Sequence, residues 1–268
     1  CVLFMLSIHQ IMIRKGFWIL LLVLDFWGGL QAQEPSFSRL PEDMVVSNVA
    51  ATAMYQDKKG FLWVGTWNGL YRYDGYNLKK FKLTITSPDE IKGEKIIALY
   101  EDREGYLWAG TENTGLYRLD RTTEQFKVYQ HDPKSKKSLP DNKVASIFQD
   151  DQGKIWVGTL KGLASLNADH SFTRLENSEI SNIEITCTIR GRDGSYWFGS
   201  TYGVFRGILT PNGRFSITRM EVVPAGTPSN FAPAHNHIYD IKEDPRKDNI
   251  FWIGSRNGLK RFDFASNQ

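Results

Sequence analysis

Five tryptophans recur along this chain at an interval far longer than any helical or strand period: Trp63, Trp108, Trp156, Trp197 and Trp252, spaced 45, 48, 41 and 55 residues apart. Each begins the string W-x-G-[TS], with Gly65, Gly110, Gly158, Gly199 and Gly254 two residues on. A further Gly followed by Leu or Val comes next in every copy, from Gly69-Leu70 to Gly258-Leu259. Gly also stands three residues before the Trp in four copies, and Asn249 takes that place in the fifth. Self-similarity at a period of about 40–50 residues predicts a repeat architecture in which each unit is one supersecondary module.

Each unit reads as four short strands. An apolar stretch such as "KVASIFQD" comes first and is closed by a D-x-x-G turn, in "DKKG", "DREG" and "DDQG". Asp bonds readily to nearby backbone, and Gly supplies positive φ. The second strand carries the Trp. A hairpin follows, marked most plainly by Asn68-Gly69 and Asn257-Gly258, a strong short-range hairpin signal. The third strand is of the "GLYRYD" type, and the fourth holds segments such as "FKVY" from Phe126. Runs such as "FLWVG" are apolar on both faces, where a sheet with one wet face would alternate. Four-stranded units stacked face to face around an axis bury both sides, so the expected fold is an all-β propeller. The bulky Trp is expected to fill the wedge between neighbouring blades. The Gly two residues later then admits close approach of adjacent backbone or a large ring.

Five blades are expected, at about residues 40–85, 91–130, 139–175, 180–220 and 236–268. The fifth Trp has too little chain behind it for a full blade, so that unit is expected to lack its outer strand. Either "PSFSRL" around Phe37 supplies that strand, or the five blades are the opening part of a longer ring.

The N-terminal segment has the layout of a secretory leader over residues 1–32. Arg14 and Lys15 precede the apolar run "GFWILLLVL", which stops at Asp25, and a small residue stands at Ala32. That run is short of the roughly 20 apolar residues that a membrane span needs, so cleavage near Ala32 is expected. Met12 is a more natural start than Cys1, so the first residues read as upstream read-through. Residues 33–268 would then be the exported propeller.

Charge and cysteine content exclude several chemistries. The chain has 33 basic and 30 acidic residues, interspersed, with no basic stripe to follow a nucleic-acid backbone. After loss of the leader a single thiol, Cys187, remains. It can build neither a disulfide framework nor a Cys-based zinc site and reads as a small apolar strand residue. Of five histidines only His235 and His237 are close, in "APAHNHIYD", and no Cys or carboxylate cluster stands beside them to complete a metal site. Asp57, Asp102 and Asp150 recur at one turn position about a blade apart, which points to turn capping rather than acid–base chemistry. No phosphate loop or nucleophile elbow occurs. No catalytic residue, metal or cofactor is expected.

The strings "DKKGFLWVGTWNGLYRYDGYNLKKF", "DREGYLWAGTENTGLYRLD" and "DDQGKIWVGTLKGLASLN" resemble the regulator-propeller repeats of bacterial hybrid two-component sensors. The resemblance covers about residues 37–264. The fourth copy departs, with "RGRDG" at the turn, and the fifth carries the insertion "DPRKDNIFW". Turn shape is in question at both. The resemblance implies that the five blades are an incomplete part of a seven-bladed ring, in a periplasmic sensor region that binds oligosaccharides or another small ligand. The parent protein would add a downstream β-sandwich, a membrane anchor in the inner membrane and a histidine kinase; a homodimer is left open. Two alternatives remain, an exported propeller enzyme (lyase or glycosidase) and a protein-interaction propeller.

Propellers bind mostly where second-to-third-strand turns and blade-to-blade loops gather around the axis. Here those turns carry Trp67, Asn68, Glu112, Asn113, Lys161, Tyr202, Arg256 and Asn257. Trp67 stands out because no other copy has Trp at that turn, and an exposed indole can stack on a sugar or a protein surface. Asn68 and Asn257 read first as turn residues.

Overall fold

The computed structural model describes residues 50–81, 94–177, 179–222 and 236–264. The leader, the segment around Phe37, His9 and His235 lie outside the described residues. The described chain is a succession of antiparallel sheets. Blade one is β1 (Ala51–Gln56), β2 (Leu62–Thr66), β3 (Gly69–Tyr73) and β4 (Leu78–Phe81). Blade two is β5 (Ile96–Glu101), β6 (Leu107–Thr111), β7 (Leu116–Asp120) and β8 (Gln125–Tyr129). Blade three is β9 (Val144–Gln149), β10 (Ile155–Thr159), β11 (Gly162–Leu166) and β12 (Phe172–Arg174). Blade four is β13 (Ile185–Arg190), β14 (Tyr196–Ser200), β15 (Gly203–Leu209) and β16 (Phe215–Met220). Blade five shows β17 (Ile238–Glu243), β18 (Ile250–Ser255) and β19 (Gly258–Asp263), so three of its strands are described.

Within each sheet the strands pair in chain order. First strands of successive blades pack on one another, β1 on β5, β5 on β9, β9 on β13 and β13 on β17. Each second strand also packs on the first strand of the next blade. First strands are therefore innermost, and the blades fan out from them as a β-propeller.

The core is distributed into four wedges, one per blade–blade interface. Trp63, Leu70 and Phe81 of blade one meet Ile96, Leu107 and Tyr117 of blade two. Trp108, Leu116 and Tyr129 meet Val144 and Val157; Trp156 and Leu163 meet Ile185 and Phe198; Trp197 and Val204 meet Ile238 and Ile253. Both faces of the second strand are consumed, and β6, β10 and β14 are buried at every position. Burying one Trp removes about 150–250 Å² from water, worth roughly 4–6 kcal/mol at about 25 cal/mol per Å².

The fifth copy corrects the expectation that every repeat Trp is buried. Trp63, Trp108, Trp156 and Trp197 are 0–3% exposed, but Trp252 is 37% exposed. Leu259, at the Gly-Leu position that is buried in the first four blades, is 70% exposed. Trp and Leu both point toward the next blade, and none covers blade five among the described residues. The glycine after each Trp also differs from expectation, because no large ring fills the space. A β-carbon on Gly65 would lie 2.7 Å from Ile96, the first residue of the next blade's inner strand. The same crowding is set by Val144 at Gly110, Ile185 at Gly158 and Ile238 at Gly199. At Gly254 the nearest atom is the Asp240 carbonyl oxygen at 3.7 Å.

Turn chemistry repeats as strictly. In Asp57 one carboxylate oxygen accepts from the Lys59 and Phe61 amides, and the other accepts from Trp63 Nε1–H at 2.9 Å. Trp108 donates to Asp102, Trp156 to Asp150 and Trp252 to Asp244 in the same way. Blade four has Gly191 at that position, and Trp197 Nε1 is buried without a partner. Its turn nevertheless closes like the others, with Gly194 N–H donating to the Gly191 carbonyl at 3.0 Å. The "RGRDG" departure therefore removes the indole's partner and leaves the turn shape intact. In blade five the insertion lengthens the turn, yet Asp244 still reaches Trp252, and Asn249 takes the left-handed φ of 60° that glycine takes elsewhere.

The overpacking at these glycines has a direct test. Gly199→Ala should cost about 1–3 kcal/mol in a urea titration, because its β-carbon meets Cys187 and Ile238. Gly254→Ala should stay within about 0.5 kcal/mol of wild type.

Candidate functional site

The second-to-third-strand turns are built alike in all five blades. Thr66 Oγ1 donates to the Gly69 carbonyl and accepts from Asn68 N–H. Thr111, Thr159, Ser200 and Ser255 donate to the turn glycine in their own blades. This explains the Thr or Ser that ends each W-x-G-[TS]. Only the glycine of Asn68-Gly69 takes a positive φ, at 112°, so Trp67 and Asn68 are the loop residues and Gly69 begins the returning strand. In blades two to five the residue after that Thr or Ser also donates to the carbonyl just before its blade's first strand: Glu112 to Lys95, Leu160 to Lys143, Thr201 to Glu184 and Arg256 to His237. Hairpin tips and first-strand starts thus share one face of the propeller.

On that hairpin face the structure brings two of the eight sequence candidates together. Trp67 is 56% exposed, and Lys95 Nζ sits 4.3 Å above its ring. The same ammonium pairs with Glu112 at 3.0 Å, so Trp67 of blade one and Glu112 of blade two are linked through a lysine. Asn68 and Asn113 are exposed. Lys161 reaches Asp141 at 3.4 Å, and Tyr202 is an exposed ring whose carbonyl accepts from Arg219. Arg256 and Asn257 lie at the exposed tip of blade five. No hydrogen bond, ion pair or ring contact joins Lys161, Tyr202 and Arg256 to one another. Lys95, Lys143 and Glu184 were not singled out by sequence, although each immediately precedes its inner strand; Lys143 and Glu184 pair at 2.6 Å across blades three and four.

Among the described residues no three His, Cys, Asp or Glu side chains converge as metal ligands. His237 packs near Tyr239. Burial pushes the Cys187 thiol up to about 12, so it stays protonated and unreactive at neutral pH. No helix among the described residues is long and apolar enough to cross a membrane.

The opposite face is held by charge. The amide after the turn position held by Asp57, Asp102 or Gly191 donates to a side chain of the following blade: Lys58 to Glu101 at 2.8 Å, Arg103 to Gln149 at 2.9 Å and Arg192 to Glu243 at 2.8 Å. Between blades three and four the acceptor is instead the Tyr196 hydroxyl, bonded by Asp151 N–H. Arg121 ties blades one and two together, pairing with both Asp57 and Glu101.

The two component regulator propeller family matches three stretches of this chain, residues 46–68, 90–113 and 138–161. Each runs from the inner strand of a blade to its hairpin tip. These three stretches match the regulator-propeller repeat. Among solved structures, the chain is similar to a domain described as the extracellular domain of the hybrid two component system BT3049 from B. thetaiotaomicron. Identity is 26%, the TM-score is 0.66, and the match covers 86% of this chain and 31% of that one. The chain thus spans about a third of that domain. It is also similar in fold to virginiamycin B lyase from Staphylococcus aureus bound to quinupristin, at 16% identity and TM-score 0.58, covering 81% of this chain and 72% of the lyase. At that identity the likeness speaks to the propeller fold alone. No curated protein matches the chain.

The buried cluster around Asp57 predicts a pH response. Burial alone would raise the Asp57 carboxyl, but hydrogen bonds from Trp63, Phe61 and Lys59, together with Arg121, hold it below its ordinary value. A depressed carboxylate stabilises the fold above its unfolded value of about 3.9 and loses that contribution as pH falls through the lower folded value. The denaturant midpoint should therefore hold down to about pH 5 and drop below about pH 4. Asp57→Asn should give a lower midpoint at neutral pH and a shallower acid drop. Equal acid losses in the two proteins would contradict this role.

Proposed function

We propose that this chain is the ligand-sensing propeller of a hybrid two-component sensor, exported to the periplasm and signalling to a histidine kinase elsewhere in the parent protein. The observation that carries the reading is the regulator-propeller repeat, with 26% identity across 86% of the chain to an extracellular domain described as part of such a system. The leader-like segment with Arg14, Lys15 and Ala32 supports export. In this reading the chain binds and does not catalyse. Its ligand is an oligosaccharide received on the hairpin face, with Trp67 as the stacking platform.

The exposed indole under Lys95, beside Glu112, supports that assignment. An aromatic face buries the apolar side of a sugar ring, and a flanking cation and carboxylate offer hydrogen bonds to its hydroxyls. Titration of the purified chain with a panel of neutral and acidic oligosaccharides should find at least one that binds. Trp67→Ala should weaken that binding by about tenfold or more, equivalent to about 1.4 kcal/mol. Silence across the panel would contradict sugar sensing, and unchanged affinity in Trp67→Ala would remove the hairpin face as its site.

A further inference from the structure

Away from the hairpin face, a cavity of about 780 Å³ opens at the outer rim between blades three and four. Its origin is visible in strand lengths. The outer strand β12 has three residues, Phe172–Arg174, where its neighbour β16 has six, Phe215–Met220. The shortened edge lets the cavity reach inward to Trp156 on β10, while the β15–β16 turn of blade four forms the other wall.

The lining has an unbalanced charge. Lys136, Lys154, Arg174 and Arg214 all face this space, against the single carboxylate Glu176. They come from four separate stretches of chain, and none of the four cations has an ion-pair partner among the described residues. The adjoining cavity of about 340 Å³ shows the contrast. There Asp151 pairs with Arg190 at 2.7 Å and Asp193 with Arg206 at 2.8 Å. Four like charges around one concavity repel one another and focus a positive potential into it. Only an anionic occupant with more than one charged group neutralises that arrangement. Arginine forks suit planar carboxylates or sulfates.

We propose that this rim cavity is a binding site for a small polyanion carrying two or more carboxylate or sulfate groups, separate from the hairpin face. Two sources share that chemistry: an acidic oligosaccharide and a free polycarboxylic acid. Calorimetric titration of the full chain with a galacturonate tetrasaccharide, with citrate and with a neutral glucose tetrasaccharide separates them. At least one of the two anions should bind, more weakly as salt rises, and the neutral sugar should not bind here. Binding of the tetrasaccharide alone names a saccharide ligand; binding of citrate alone names a free acid. The exposed double variant Arg174→Glu/Arg214→Glu should keep the wild-type unfolding midpoint and lose about tenfold or more in anion affinity. Single Lys136→Glu, on an exposed loop, should lose affinity in the same direction. Trp67→Ala should leave anion binding unchanged, so failure of the hairpin-face reading and failure of this one give different patterns. Absence of binding by both anions, undiminished binding in the double variant, or loss in Trp67→Ala instead would overturn the proposal.

Discussion

In four of the five blades a hydrogen bond from the repeat indole to the turn aspartate ties the buried wedge to the turn that positions it. A tryptophan large enough to fill the gap between two splayed sheets carries an N–H that must be satisfied once buried. The aspartate six residues earlier solves this with one oxygen and closes the strand–strand turn with the other, as Asp150 does with Trp156, Gln152 and Lys154. One side chain thereby fixes the turn, the rotamer of the wedge and the start of the second strand. Blade four shows what remains without it. Trp197 keeps its buried place against Phe251, with ring centres 4.2 Å apart, while its N–H is unpaired. Such an orphan costs about 1–3 kcal/mol. Asp193 retains the turn by bonding the Ser195 amide.

Because every wedge is shared between neighbours, stability is local and additive in the manner of repeat proteins. The same interaction set is used four times: Trp and Leu or Val from one blade, an Ile or Val from the next, and a glycine thin enough to receive it. Where a blade has no neighbour among the described residues, the set is exposed. Trp252, Leu259 and Tyr239 on blade five and Met54 on blade one are the large apolar side chains in question. Their exposure follows from the wedge principle and needs no separate cause.

The repeated residues made the fold readable. Trp, Gly and the Asn-Gly hairpins recur in register, so their shared geometry could be inferred before any coordinates. The aspartate was legible as a turn cap, but its bond to the indole was not, since five intervening residues conceal the approach. The cross-blade acceptors were hidden for a different reason. Their position alternates between Glu101, Gln149 and Glu243, and between blades three and four the role passes to Tyr196. On the hairpin face the turn residues were foreseen, but the Trp67–Lys95–Glu112 contact joins two blades and has no sequence period. The rim cavity draws on residues 136 to 214 and depends on a strand being short, which no motif records.

A double-mutant cycle on blade three tests the indole–aspartate contact most directly. Equilibrium unfolding of wild type, Asp150→Ala, Trp156→Phe and the double variant isolates their coupling from the loss of ring volume. Phe keeps much of the wedge while removing the N–H donor, and the cycle cancels the lost ring volume, so the account predicts a coupling of about 1–3 kcal/mol. Additive effects of the two substitutions, within about 0.5 kcal/mol, would contradict it.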